Sequence, residues 1–170
     1  MAADGGKSHE GVARVVIRPA TAADVEGILG VQEPGALAGL AHIFPQDRHP
    51  FPRAAVADRW REELADAVTA VYVSVDQAGR LTGFAARRED ELLHFGTAVD
   101  LWGTALARHL HDTLLTTFPR SLRRVRLRVF AANHRARRFY EKAGWTVTGA
   151  TSRTRFPPHP VLLEYERSIG

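Results

Sequence analysis

Apolar positions along the chain follow two rhythms, one near 3.6 residues and one of two, and their alternation lays out the secondary structure. Residues 14–18 read as a short apolar strand that stops at Pro19. Thr21 and Asp24 are spaced as a capping box and open a helix through Ile28, Leu29 and Val31. Pro34-Gly35 is expected to interrupt it, with a second helical piece reaching Leu40. Residues 41–51 form a loop holding His42, Phe44, His49 and Phe51. Pro52 suits the first turn of the next helix, where Val56, Trp60 and Leu64 share a face.

The rhythm then shortens. Strands over 70–75 and 81–87 flank Asp76-Gln-Ala-Gly79, a hairpin signal, and a third strand covers 91–97. Gly96 inside it marks a bulge or a close backbone approach. Residues 104–118 return to a helical period, with Leu106, Leu110 and Leu114 on one face. Over 124–129 the alternation is strict: Val125, Leu127 and Val129 oppose arginines, as in a half-buried strand. From Asn133, a good N-cap, a last helix carries Ala136, Phe139, Tyr140 and Ala143 on one stripe and ends at Gly144. Strands over 145–150 and 161–166 finish the chain. The order β-α-α-β-β-β-α-β-α-β-β predicts an α/β (α+β) fold. Its mixed, twisted central sheet would hold about six or seven strands, flanked on both faces by about four helices.

Composition narrows the classes. The chain has 170 residues, 45% apolar and 25% charged, which suits one domain over residues 14–170 after a polar, disordered tail at 1–13. The absence of cysteine excludes disulfides, thiolate catalysis and cysteine-based metal sites. No apolar run is long enough for a membrane span, and no signal-peptide core precedes the domain, so a cytoplasmic setting without membrane attachment is expected. The net charge is +4. The basic excess lies mainly between Arg120 and Arg155, where Glu141 is the only acid. Such a region meets phosphates or is simply a solvated arginine surface. A nucleic-acid partner is disfavoured, because the region lacks the aromatic interleaving of a single-strand platform. His42, Asp47, Arg48 and His49 have mixed spacing in a loop, and no metal is expected there. Pairing with a second copy is left open.

Candidate chemistry centres on residues 133–145. One member of that apolar stripe, Tyr140, carries a hydroxyl, and it is either core or a proton donor aimed into a cleft. The pattern N-x-x-A-x-x-F-Y-x-x-x-G-W resembles the second signature of the GNAT-type N-acetyltransferases, which move an acetyl group from acetyl-CoA to an amine. The element order is also that of the GNAT fold. The family's first signature, R/Q-x-x-G-x-G/A after the central strand, aligns with Trp102-Gly103-Thr104-Ala105-Leu106-Ala107. The free amides at a helix start bind anions, and small residues let a pyrophosphate approach. Two positions depart from the signature. Trp102 replaces the usual Arg or Gln and removes a polar contact, and Ala105 replaces the first Gly and adds a methyl. They motivate a rival reading, a GNAT-fold protein that binds CoA weakly or regulates without chemistry.

The resemblance implies further roles. Acetyl-CoA would be the cosubstrate, and the acceptor a small-molecule or peptide amine. Asn133 would lie beside the pantetheine arm as well as capping its helix, with Phe139 nearby in the core. Tyr140 would protonate the leaving thiolate. The oxyanion donor would be a main-chain amide of residues 95–98, so that Phe95 and Thr97 join the cofactor contacts. For the general base, Glu91 and His94 stay open, as does a merely solvated strand end at residues 89–91. Plain alternation puts Glu91, Leu93 and Phe95 on one side of the strand and Leu92 and His94 on the other. The loop at 41–51 and the segment 156–160 are expected to wall the acceptor pocket.

Overall fold

The structure, a computed structural model, describes residues 14–170. The tail expected at 1–13 lies outside the described residues. Seven strands form one sheet in the order β1-β2-β3-β4-β5-β7-β6. They are β1 (Val16–Pro19), β2 (Thr69–Val75), β3 (Leu81–Arg88), β4 (Glu91–Thr97), β5 (Arg124–Phe130), β6 (Thr146–Arg153) and β7 (Val161–Ser168). Every neighbouring pair is antiparallel except β4 with β5. That parallel contact is short. Glu91 faces Arg126 and Leu92 faces Leu127, and no pairing follows. From Leu93 onward the two strands part.

The helices divide between the faces. Val25, Ile28, Leu29 and Val31 of α1 (Val25–Gly39), with Val56, Ala57 and Trp60 of α2 (Arg53–Ala65), pack on Val71, Val73, Phe84 and Ala86 of the sheet. Leu110 and Leu114 of α3 (Leu106–Thr116) and Tyr140 of α4 (His134–Lys142) pack on the other face with Ala85, Leu92, Val125, Leu127, Val129 and Tyr165. The strict alternation in β5 is thus met by α3 and α4 on one side, with its arginines on the other.

Two local expectations change. The first helix is not broken at Pro34-Gly35, for α1 runs continuously with Pro34 inside it. Proline removes the N–H that would bond the carbonyl four residues earlier. Here that residue is Gly30, and both it and Pro34 are on the exposed side, where the freed carbonyl is open to solvent. The second change is in β4. Its register against β3 slips so that Ala86 faces His94 while Arg87 faces Leu92. The extra residue is a bulge, and it resets the alternation. Leu92 and Phe95 turn towards α3 and α4, whereas Leu93 and His94 turn towards α2, where His94 meets Trp60. Gly96 is small for a different reason. A β-carbon there would come within 2.6 Å of the Phe84 ring.

The α3–α4 side contains a buried polar relay. The His111 side chain is fully enclosed. Its Nε2 accepts from Trp145 Nε1 at 2.9 Å, and its Nδ1 bonds Asp112 at 2.8 Å, which fixes a neutral ring with its proton on Nδ1. Burial holds His111 below the ordinary imidazole value of 6.5, and the Arg167 and Arg108 charges add to this against the opposing pull of Asp112.

Two outcomes follow from this packing. Gly96→Ala is expected to lose about 1–3 kcal/mol through overpacking against Phe84, measured by urea unfolding. His111 and His94 are both held below the ordinary value, so the unfolded chain binds more protons than the native one between that value and their native pKa. Stability is therefore expected to be full above about pH 6.5 and to fall as pH drops below it. Urea midpoints at pH 7.5 and 5.5 check this, and equal midpoints would contradict it.

Candidate active site

The opening between β4 and β5 is lined on its α3–α4 side by aromatic rings. Phe95 of β4 stacks on Phe139 of α4, with ring centroids 5.6 Å apart and planes inclined by 19°. Tyr140 meets Phe95 edge-on at 6.4 Å and Trp145 at 6.1 Å. This is the stripe that period and spacing outline, and it spans from one parted strand towards the other. Tyr140 is buried, and none of the described hydrogen bonds reaches its hydroxyl. Burial pushes its pKa well above the usual phenolic range, so it stays protonated through neutral pH. Asn133 caps α4, its side-chain oxygen accepting from the Ala136 amide at 3.2 Å.

At the mouth of the opening, β4 passes through a single 3-10 turn at Val99–Leu101 into the start of α3. Gly103 takes a φ of +80°, a left-handed conformation that favours glycine. Thr104 Oγ1 donates to the Leu101 carbonyl at 2.6 Å and accepts from the Leu106 amide at 3.3 Å. Among the described residues the amides of Gly103, Ala105 and Ala107 have no acceptor. Ala105, at φ −72° and ψ −5°, is in ordinary right-handed geometry and exposed, so a methyl there meets no backbone strain. These features make an anion cradle at the positive end of α3.

Trp102 has protein partners of its own. Its Nε1 donates to the Thr97 carbonyl at 3.0 Å, and its ring reaches α1, where a β-carbon at Gly39 would be 3.3 Å from it. The guanidinium of Arg135, from the first turn of α4, lies 3.4 Å over the same ring. The indole is a strut joining β4, α1 and α4, and its close approach favours the small Gly39 of α1. Of the amides at 95–98, that of Ala98 is occupied by the Thr82 carbonyl at 2.9 Å.

The α2 side of β4 is polar. His94 Nε2 lies 2.9 Å from both carboxylate oxygens of Glu63 on α2. Both side chains are 17% exposed. Trp60 holds the imidazole edge-on at 4.9 Å. Desolvation is the main cause holding His94 below the ordinary value. Arg59 adds to it, and Glu63 and Glu91 oppose it. Glu91 is further along the strand, where β4 and β5 are still paired. It bonds Arg128 Nε at 2.8 Å and lies 3.9 Å from Arg126. These residues, with Thr151, Ser152 and Glu164, line a cavity of about 340 Å³. The bulge therefore puts Glu91 and His94 on one side of β4 and Phe95 on the other, a correction to the plain alternation. The sequence reading passed over Glu63 and Arg59. The available signal was a carboxylate three residues after Trp60, at the margin of the buried α2 stripe.

His42 Nε2 bonds the Ala132 carbonyl at 2.8 Å, and Phe44 packs edge-on to Phe130 at 5.4 Å, tying the 41–51 loop to the end of β5. From the β6–β7 connection, Arg155 is near enough to Arg59 of α2 for their charges to repel. Among the described residues no group of three or more acidic or histidine side chains is placed to hold a metal ion. None of the described helices is long and apolar enough to cross a membrane.

Solved structures share this architecture. A GCN5-related N-acetyltransferase from Rhodopseudomonas palustris superposes with a TM-score of 0.75 at 15% identity, covering 95% of this chain and 100% of that one. The ribosomal-protein-S18-alanine N-acetyltransferase of Escherichia coli gives 0.69 at 17% identity, over 92% and 95% of the two chains. The spermidine N-acetyltransferase of Vibrio cholerae, solved with CoA and spermine, gives 0.65 at 15% identity, over 91% and 95%. Identities this low establish a common fold. No curated protein sequence matches the chain. Residues 30–156 match the family described as the acetyltransferase (GNAT) domain, a stretch that contains β4, the cradle and α4. By that match, the chain belongs to the GNAT acetyltransferase family.

Proposed function

We propose that the protein transfers an acetyl group from acetyl-CoA to a primary amine by direct attack in a ternary complex. The observation that carries this reading is the free-amide cradle at residues 103–107, placed at the mouth of a strand opening that ends on a neutral, buried tyrosine. The cradle amides and the α3 dipole suit the pyrophosphate, and the Phe95–Phe139 and Asn133 edge suits the pantetheine arm. The V. cholerae neighbour, whose structure holds CoA, supports the same donor class. The cosubstrate supplies a thioester whose carbonyl carbon accepts the nucleophile and whose sulfur departs.

His94 takes one proton from the ammonium of the acceptor on the α2 side and passes it to water. An amide on the side of β4 that has parted from β5, at Phe95 to Thr97, receives the developing oxyanion. As the C–N bond forms and the C–S bond breaks, Tyr140 protonates the sulfur and regains a proton from the new amide nitrogen. Glu91 is held by Arg128 and Arg126, so its carboxylate shapes the field along β4 rather than accepting the proton. The loop at 41–51 and the segment 156–160 frame an acceptor of modest size, and a panel of amines assayed with acetyl-CoA identifies its class.

Acetyl-CoA is expected to raise the melting temperature saturably, because a ligand that binds the native state alone stabilises it. Ala107→Glu, which sets a carboxylate against the cradle, is expected to abolish the rise. No shift at millimolar acetyl-CoA would refute the reading. Tyr140→Phe removes the proton and keeps the ring. It is expected to fold and bind acetyl-CoA normally while kcat falls roughly 10²-fold, with kcat/KM falling in parallel. A kcat within a few-fold of wild type would give the proton donation to water.

A further inference from the structure

We propose that Glu63 is a positioning residue that fixes the tautomer of His94, making the Glu63–His94 pair the proton acceptor for the attacking amine. The inference rests on the acetyltransfer reading above. Glu63 is on α2 and His94 just past the β4 bulge, far apart in sequence, yet Nε2 lies 2.9 Å from each carboxylate oxygen. A carboxylate only accepts, so Nε2 carries the proton. Nδ1 is then the ring's lone-pair nitrogen, and it has no partner among the described residues. Trp60 packs against the ring and restricts its rotation.

The surroundings fit a proton acceptor rather than a static ion pair. Desolvation disfavours the imidazolium, so the ring is neutral near pH 7 and ready to accept. The charged groups facing it are Glu63 and Arg59 from α2 and Glu91 from β4. Arg59 Nε lies 3.9 Å from Glu63 and has no hydrogen bond, its own charge opposed by burial and by Arg155 of the β6–β7 connection. Arg59 thereby borders Glu63 without taking the oxygen that bonds His94. When Nδ1 takes the proton, the adjacent carboxylate stabilises the imidazolium, and the proton then leaves to water.

The test uses the full chain. Imidazole ¹⁵N NMR without ligand reads the tautomer directly, and the Nε2–H form is expected in wild type. Glu63→Gln is isosteric and presents an amide N–H that lets Nε2 become the acceptor, so the Nδ1–H form is expected to gain. In acetyl transfer, kcat/KM for the amine is expected to fall about tenfold or more. The acid limb of the profile should move to lower pH, because the carboxylate that favours the imidazolium is gone. Acetyl-CoA affinity, read by thermal shift, should not change. Glu63→Asp is expected to recover the tautomer and part of the rate, which separates positioning from mere packing. An Nδ1–H ring in wild type, or an active enzyme whose rate and acid limb ignore Glu63→Gln, overturns this inference alone. A wild type that binds acetyl-CoA but acetylates no amine overturns it together with the reading beneath it.

Discussion

Two backbone pairings join β4 to β5, and after Leu92 the strands separate. A strand edge without a neighbour leaves amide and carbonyl groups that need partners. The rest of the molecule is arranged around that constraint. The bulge at Leu93 turns β4 within the sheet, and Phe84 fills the space over Gly96. The opening is narrowed from α4 by Phe139 and braced at its mouth by the Trp102 strut. What remains is a slot whose β4 wall has parted from β5, with the free amides of the α3 start at its end, and on these the proposed acetyl-CoA site rests.

The two sides of that slot have opposite character, and burial acts on both. On the α3–α4 side it raises the Tyr140 pKa; on the α2 side it lowers that of His94. Both groups are therefore uncharged near pH 7, one with a proton to give and the other with a lone pair to receive one. The proposed reaction uses them as its acid and its base, kept apart by their environments. Glu91 is paired with the arginines of β5 at the still-joined end of β4.

Much of this was legible from period and spacing. The Asn133 cap, the Ala136–Phe139–Tyr140–Ala143 stripe and the Gly144 stop are local, and each element forms for reasons carried within a few residues. The alternation of β5 and the small residues opening α3 are local in the same sense. The sequence alone therefore determined the element order and the mixed sheet.

Tertiary structure decided what depends on neighbours distant in the chain. Whether Pro34 breaks α1 turned on which side of the helix faced water. The role of Trp102 turned on glycines of α1 and an arginine of α4. Above all, which titratable side chain meets which was set by a single bulged residue. Because side chains alternate every residue along a strand, one extra residue moves everything beyond it to the other face. Periodicity could not reveal that slip, for it is fixed by pairing with β3 rather than by β4 itself. It brought His94 to Glu63 and left Phe95 with Tyr140.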